Sequence, residues 1–359
     1  MKRLELLDYG RFIAALAVMA FHYLFNGIQN GKLSSLTHIA GLVDIAKYGQ
    51  FGVEFFFMIS GYVIFFSARG KTPGEFGVSR AVRLYPAFWV AVVFTTIIAQ
   101  FWGGRQMSVG IFQAIANLTM LPGLFGQGYV DGVYWTLQLE LSFYALVLVI
   151  LFFGLQPKLE SLFILWPLVM LIAKLTNLSH LPFAGRHYSY FAAGVIFAIL
   201  KNRRDMLVIC SMLVSLALCI GFSAGNASML TAAKGVPFSK IIIGTIIIVQ
   251  FGFFIILNSS RGSVIALPGS RLVGSLTYPV YLIHAHFGYM FLSRFGTDET
   301  RLQAYIATIL MVFCLSFLIH TYVEKRFSKV WYKLFWVALG SPIDTLARRL
   351  RELMPVFQR

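Results

Sequence analysis

The sequence predicts an all-α, polytopic membrane bundle of about ten transmembrane helices with both termini cytoplasmic. Three observations carry this. Of 359 residues, 58% are hydrophobic and only 12% charged, whereas soluble domains are about a quarter charged. Apolar runs of near-spanning length recur along the whole chain. Lys and Arg then fall asymmetrically between the segments that join those runs.

The candidate spans are roughly 6–26, 51–68, 82–102, 133–153, 160–176, 187–200, 206–223, 239–257, 272–293 and 303–322; the sixth is short. The stretch 108–125 is apolar but broken by Pro122-Gly123, and reads as a re-entrant or surface segment. Asp8 and Arg11 interrupt the first run, so it reads as a retained span rather than a cleaved leader. With the N-terminus inside, 20 of the 30 Lys and Arg residues fall on the cytoplasmic side, Lys2, Arg3 and the eight after Glu324 among them. This division gives a transmembrane domain over 1–323 and a basic, aromatic tail over 324–359, read as an interfacial amphipathic segment.

The formal charge of +16 fits basic loops facing anionic lipid, so nucleic acid is not an expected partner. Cys210, Cys219 and Cys314 lie in apolar runs, which points to neither a disulfide framework nor a metal site. No internal repeat is apparent, which argues against a typical inverted-repeat transporter.

Ionisable groups inside spans are costly and mark pathways or reaction sites. Arg11 and His22 are eleven residues apart, about three turns plus 20°, so they share one helix face about 16.5 Å apart. Asp8 stands one turn from Arg11 and can pair with it. Taken singly, Arg11 also reads as a snorkelling cation and His22 as an interhelical hydrogen bonder. Glu54 opens the second span on the same side as His22, where a carboxylate would orient the imidazole. Ser60-Gly61 reads as close packing, because no base is identifiable beside the serine.

Arg80 and Arg83 stand one turn apart at the expected start of the third helix. Cations there oppose the helix dipole and call for an anion such as phosphate. Glu140, with Gln138, lies inside the fourth span and needs a cationic or hydrogen-bonding partner, for which the arginines are available. Trp135, Tyr278, Tyr281 and His284 are the expected walls of a substrate cavity. His284 lies six residues beyond Tyr278, while His286 points elsewhere. No two histidines have metal-ligand spacing, so no metal is expected.

Five segments together resemble the acyltransferase-3 family of membrane acyltransferases. They are Arg11 with His22, Gly52-Val-Glu54-Phe-Phe-Phe-Met-Ile-Ser-Gly61, Arg80-Ala-Val-Arg83-Leu-Tyr-Pro86, Trp135-Thr-Leu-Gln-Leu-Glu140, and Tyr278-Pro-Val-Tyr281-Leu-Ile-His284. The resemblance implies a ten-span inner-membrane protein that moves acyl groups, often acetyl, from cytoplasmic acyl-CoA to glycans or lipid-linked saccharides. It makes Arg11 and His22 essential and adds Arg83 and Glu140. No permanently bound cofactor follows; acyl-CoA is a donor substrate. The expected partners are thus acyl-CoA, a glycan acceptor and membrane lipids. A proton-coupled carrier or flippase is the competing class.

Overall fold

The computed structural model describes residues 4–262 and 265–353. Lys2, Arg3 and the tail residues 354–359, which entered the charge count, lie outside the described residues. Ten principal helices follow one another: α1 (Glu5–Phe21), α2 (Gly52–Ala68), α3 (Pro73–Trp102), α4 (Trp135–Phe152), α5 (Leu159–Leu175), α6 (Arg186–Leu200), α7 (Met206–Ser223), α8 (Lys240–Asn258), α9 (Ser270–Phe295) and α10 (Arg301–Leu318). The tail adds α11 (Ser328–Phe335) and α12 (Ser341–Leu353). There is no strand among the described residues.

Each candidate span coincides with one principal helix. Seven are long and apolar enough to cross a membrane, α1 and α2 when taken with the turns that continue them as Glu5–Gln29 and Leu42–Ala68. The other three are α5, α6 and α9. Helices α5 and α6 have only 17 and 15 residues, and α9, at 26 residues, is too polar to qualify. The interior explains the polarity of α9, and α6 is buried as fully. From Ser189 to Ile199 on α6, and from Leu276 to Met290 on α9, every residue is buried. Their composition is set by neighbouring helices rather than by lipid. The stretch 108–125 holds only the seven-residue helix Ile111–Asn117 and one 3-10 turn.

Helix α9 packs against α1, α3 and α10, and α6 against α2, α5 and α7. Helices α2 and α6 approach most closely at Gly61 and Gly194, where a Cβ on either would collide with the facing backbone. Helix α1 continues beyond Phe21 through a π turn, His22–Asn26, into Gly27–Gln29. Such widened turns recur at functional sites, and this one begins at His22.

Helix α3 starts nine residues before the predicted span, because Thr72 and Glu75 form a capping box around Pro73. Arg80 and Arg83 therefore sit in its second and third turns, not at its N-terminus, and the dipole argument for an anion does not apply to them. The terminus itself is answered by the tail. Asp344 accepts from Thr72 Oγ1 and from the Gly74 amide, each at 2.7 Å. Phe335 buries against Val78 and Ala81 of α3, with Trp331 and Trp336 beside it. Arg351 Nε donates to the Phe152 carbonyl at 3.1 Å, at the C-terminus of α4. The tail is thus held to the ends of α3 and α4, while Val330, Leu334 and Val337 remain exposed.

Candidate active site

Two cavities divide the bundle. One, of about 550 Å³, is walled by Arg11, Arg80, Arg83, Glu140, Tyr144 and Tyr278, together with Asp8 and Ser60. Helix α1 supplies Arg11 and Asp8, α3 both other arginines, and α4 Glu140. Arg11 Nη1 lies 3.7 Å from Asp8. The Arg80 guanidinium makes no ion pair among the described residues; it lies over the rings of Phe76 and Tyr144, at 6.0 and 5.8 Å. Arg83 lies over Tyr278 at 5.3 Å and 3.9 Å from Glu324. Three guanidinium groups face one partly enclosed space, an arrangement whose chemistry suits an anion.

The second cavity, of about 380 Å³, is lined by His22, Glu54, Asp131, Trp135, Arg186 and His286, and by Lys32 and Lys234. His22 Nδ1 is hydrogen-bonded to the Tyr289 hydroxyl. Asn26 Nδ2 donates to that same hydroxyl at 3.1 Å. The His284 ring stands edge-on to His22, with centroids 5.0 Å apart. Glu54 is buried and paired with Arg186. Asp131, fully buried at the end of the loop into α4, accepts from the His286 amide at 2.8 Å and lies 3.4 Å from the His286 ring. Burial works against the Asp131 charge, but the His286 imidazole and these hydrogen bonds outweigh it and hold the carboxyl below its ordinary range.

The cavities adjoin one another. Val53 and Tyr281 line both, so one side chain from α2 and one from α9 form the partition. Tyr281 is itself fixed, its hydroxyl lying 2.7 Å from Thr136 Oγ1 and donating to the Val133 carbonyl at 3.2 Å. Arg11 opens on one cavity and His22 on the other, so α1 runs past the partition.

Comparison with known proteins agrees with this architecture. The profile of a family described as an acyltransferase domain matches residues 4–340. The chain belongs to the acyltransferase-3 family. It is 27% identical over 252 residues to the exopolysaccharide production protein ExoZ of Rhizobium meliloti (strain 1021), covering 66% of this chain and 75% of that protein. It is 29% identical over 157 residues to Nodulation protein 10 of Rhizobium leguminosarum bv. viciae, covering 38% of this chain and 41% of the other. No solved structure matches it.

In this acyltransferase-3 chain the predicted residues divide between the two cavities. Arg11, Arg80, Arg83, Glu140 and Tyr278 face the first; His22, Glu54 and Trp135 face the second; Tyr281 faces both. His284 lines neither. It is buried against His22, with Nδ1 2.8 Å from the Tyr281 carbonyl oxygen, so it does not share a cavity with Tyr278.

Two expected pairings and one expected orientation differ. Glu54 does not orient His22 by hydrogen bonding. The close approach of α2 and α6 brings Arg186 to Glu54, and Tyr289 takes the imidazole instead. Glu140 is held by hydroxyls rather than by an arginine. It accepts from Ser60 Oγ at 3.1 Å and from the Tyr144 hydroxyl, so a carboxylate does stand beside Ser60. His286 does not point away from the site, because Asp131 approaches on its side of α9. The sequence reading passed over Asp131, Arg186, Tyr289 and Lys234. A lone Asp in an apolar loop and an Arg-His pair opening a short span were the only local signals.

Proposed function

We propose that this chain is an O-acyltransferase of the bacterial inner membrane. It moves an acyl group, acetyl by family habit, from acyl-CoA to a sugar hydroxyl. The acceptor is a surface polysaccharide, lipopolysaccharide O-antigen or lipo-oligosaccharide. One observation carries the reading: an arginine-walled cavity and a histidine-walled cavity meet at Val53 and Tyr281, with Arg11 and His22 of one helix on either side. The name of the Rhizobium meliloti relative, exopolysaccharide production protein, supports a polysaccharide acceptor.

In this mechanism the basic tail lies in the cytoplasm, and with it the arginine cavity that it borders. The CoA phosphates dock on Arg80 and Arg83, and the pantetheine arm extends along the face bearing Arg11. The thioester reaches the partition at Val53 and Tyr281. His22 Nδ1–H donates to Tyr289, leaving Nε2 to take the proton of the acceptor hydroxyl. The sugar oxygen bonds to the acyl carbon, the carbon–sulfur bond breaks, and His22 returns the proton to the CoA thiolate. Arg186, whose Nε has no partner among the described residues, offers a donor to the developing oxyanion. Glu54 acts as a positioning residue by holding Arg186, and Glu140 by holding Ser60 and Tyr144 beside the arginines.

Radiolabelled acetyl-CoA tests the reading. Label appears in the glycan with the wild-type chain, and His22→Ala lowers transfer by about 100-fold or more while the protein stays in the membrane. Full transfer by His22→Ala removes the base assignment. The same pair of adjoining cavities would suit a carrier, and solute movement without covalent change would favour it.

A further inference from the structure

The histidine cavity holds two ammonium groups that this mechanism does not use. Lys32 lies in the loop after the first helix, and Lys234 ends the short helix Ala227–Lys234. Both are half-buried and both line the cavity that holds His22. The cavity's carboxylates are engaged elsewhere, Glu54 by Arg186 and Asp131 by His286. Neither lysine makes an ion pair among the described residues. Lys234 Nζ donates to the neutral Asn26 Oδ1 at 2.7 Å. Burial lowers the Lys32 pKa, and the attraction of Asp131 offsets this only in part. A partly desolvated ammonium without a counter-ion is stabilised by whatever anion enters beside it.

The position is as informative as the charge. Lys234 reaches Asn26, Asn26 reaches Tyr289, and Tyr289 holds His22. Lys234 therefore lies three hydrogen bonds from the imidazole, and an anion seated on it lies four.

We propose that the acceptor carries an anionic oxygen group, seated on Lys32 and Lys234, which presents a nearby hydroxyl to His22. This rests on the acyltransferase reading and names its acceptor class: a saccharide bearing a carboxylate, or one carried on a lipid diphosphate.

The test is equilibrium binding to the full chain in lipid nanodiscs. Three radiolabelled probes are used: a glucuronate-containing tetrasaccharide, its neutral glucose counterpart, and geranyl diphosphate. At least one anionic probe binds about tenfold or more tightly than the neutral one. The preference shrinks with added salt. It falls below about threefold in the Lys32→Gln, Lys234→Gln double variant, and the corresponding arginine variant retains it. Preference for the glucuronate places the anion on the sugar; preference for the diphosphate places it on the carrier. Equal binding of all three, or a preference that survives in the double variant, overturns the proposal. Lys32→Gln alone, in a loop, gives the same reading where the double variant misfolds. Transfer is assayed separately. Its absence with every acceptor sinks the acyltransferase reading and leaves these affinities standing.

Discussion

The imidazole Nδ1 of His22 and the hydroxyl of Tyr289 are hydrogen-bonded across 267 positions of sequence. Asn26 braces the same hydroxyl, and Lys234 fixes the Asn26 amide, since an ammonium can only donate to its oxygen. The arrangement fixes the imidazole through one ring nitrogen, and under the proposed mechanism the other nitrogen takes the acceptor proton. Tyr289→Phe should lower kcat by about 10- to 100-fold through loss of ring orientation, with KM for the acyl donor unchanged. The pH–rate profile should shift with it, which a packing defect alone would not produce. An unchanged profile and kcat would reduce Tyr289 to packing.

Arg83 faces the first cavity with its nearest carboxylate 3.9 Å away, a weak and half-exposed pairing. Its charge is thus only partly met by protein groups. Arg83→Ala should raise KM for acetyl-CoA about tenfold and weaken binding of CoA itself, the difference narrowing at high salt. Isothermal titration with CoA reads this directly. Unaltered CoA affinity would leave Arg83 as a determinant of topology only.

Ser60 Oγ donates to Glu140 at 3.1 Å, a hydroxyl with a carboxylate beside it. Direct transfer needs no nucleophile there. Ser60→Ala should keep kcat within about threefold, and mass spectrometry of wild type incubated with acetyl-CoA should find no acetyl group on the peptide containing Ser60. An adduct at Ser60, with total loss in the variant, would replace direct transfer by a covalent relay.

Asp131 is buried, and its carboxyl is pushed down to about 2 by His286 against the cost of burial. A lowered folded-state pKa gives stability that is full above the unfolded value of about 3.9 and is lost as pH falls toward the folded one. Asp131→Asn should therefore lower thermal stability at pH 7 and at pH 5 alike, by on the order of 1–3 kcal/mol. The gap to wild type should close between about pH 4 and pH 2. A gap that stays constant through that window would assign the effect to shape rather than charge.

The positions of the helices were legible because hydrophobic length and periodicity are local properties of the chain. Every candidate span has its helix, and the reading failed mainly at boundaries, as where the Thr72 capping box starts α3 early. Helical pitch predicts that Arg11 and His22 align, and the structure sets them on two adjoining cavities. The site was legible as a set of residues but not as a set of partners. Glu54 and His22 look matched in sequence, yet Arg186 and Tyr289 take them. His286 looked idle because nothing near it in sequence shows that Asp131 approaches it.

By itself, then, the sequence determined a helical membrane protein, its family, and the polar residues buried within its spans. Only the tertiary structure decided which of those residues touch and how they divide between two cavities that meet at Val53 and Tyr281. The reason is physical. A helix dictates its own faces over a few residues, whereas the partner of a buried charge is chosen by desolvation and close packing between segments far apart in the chain.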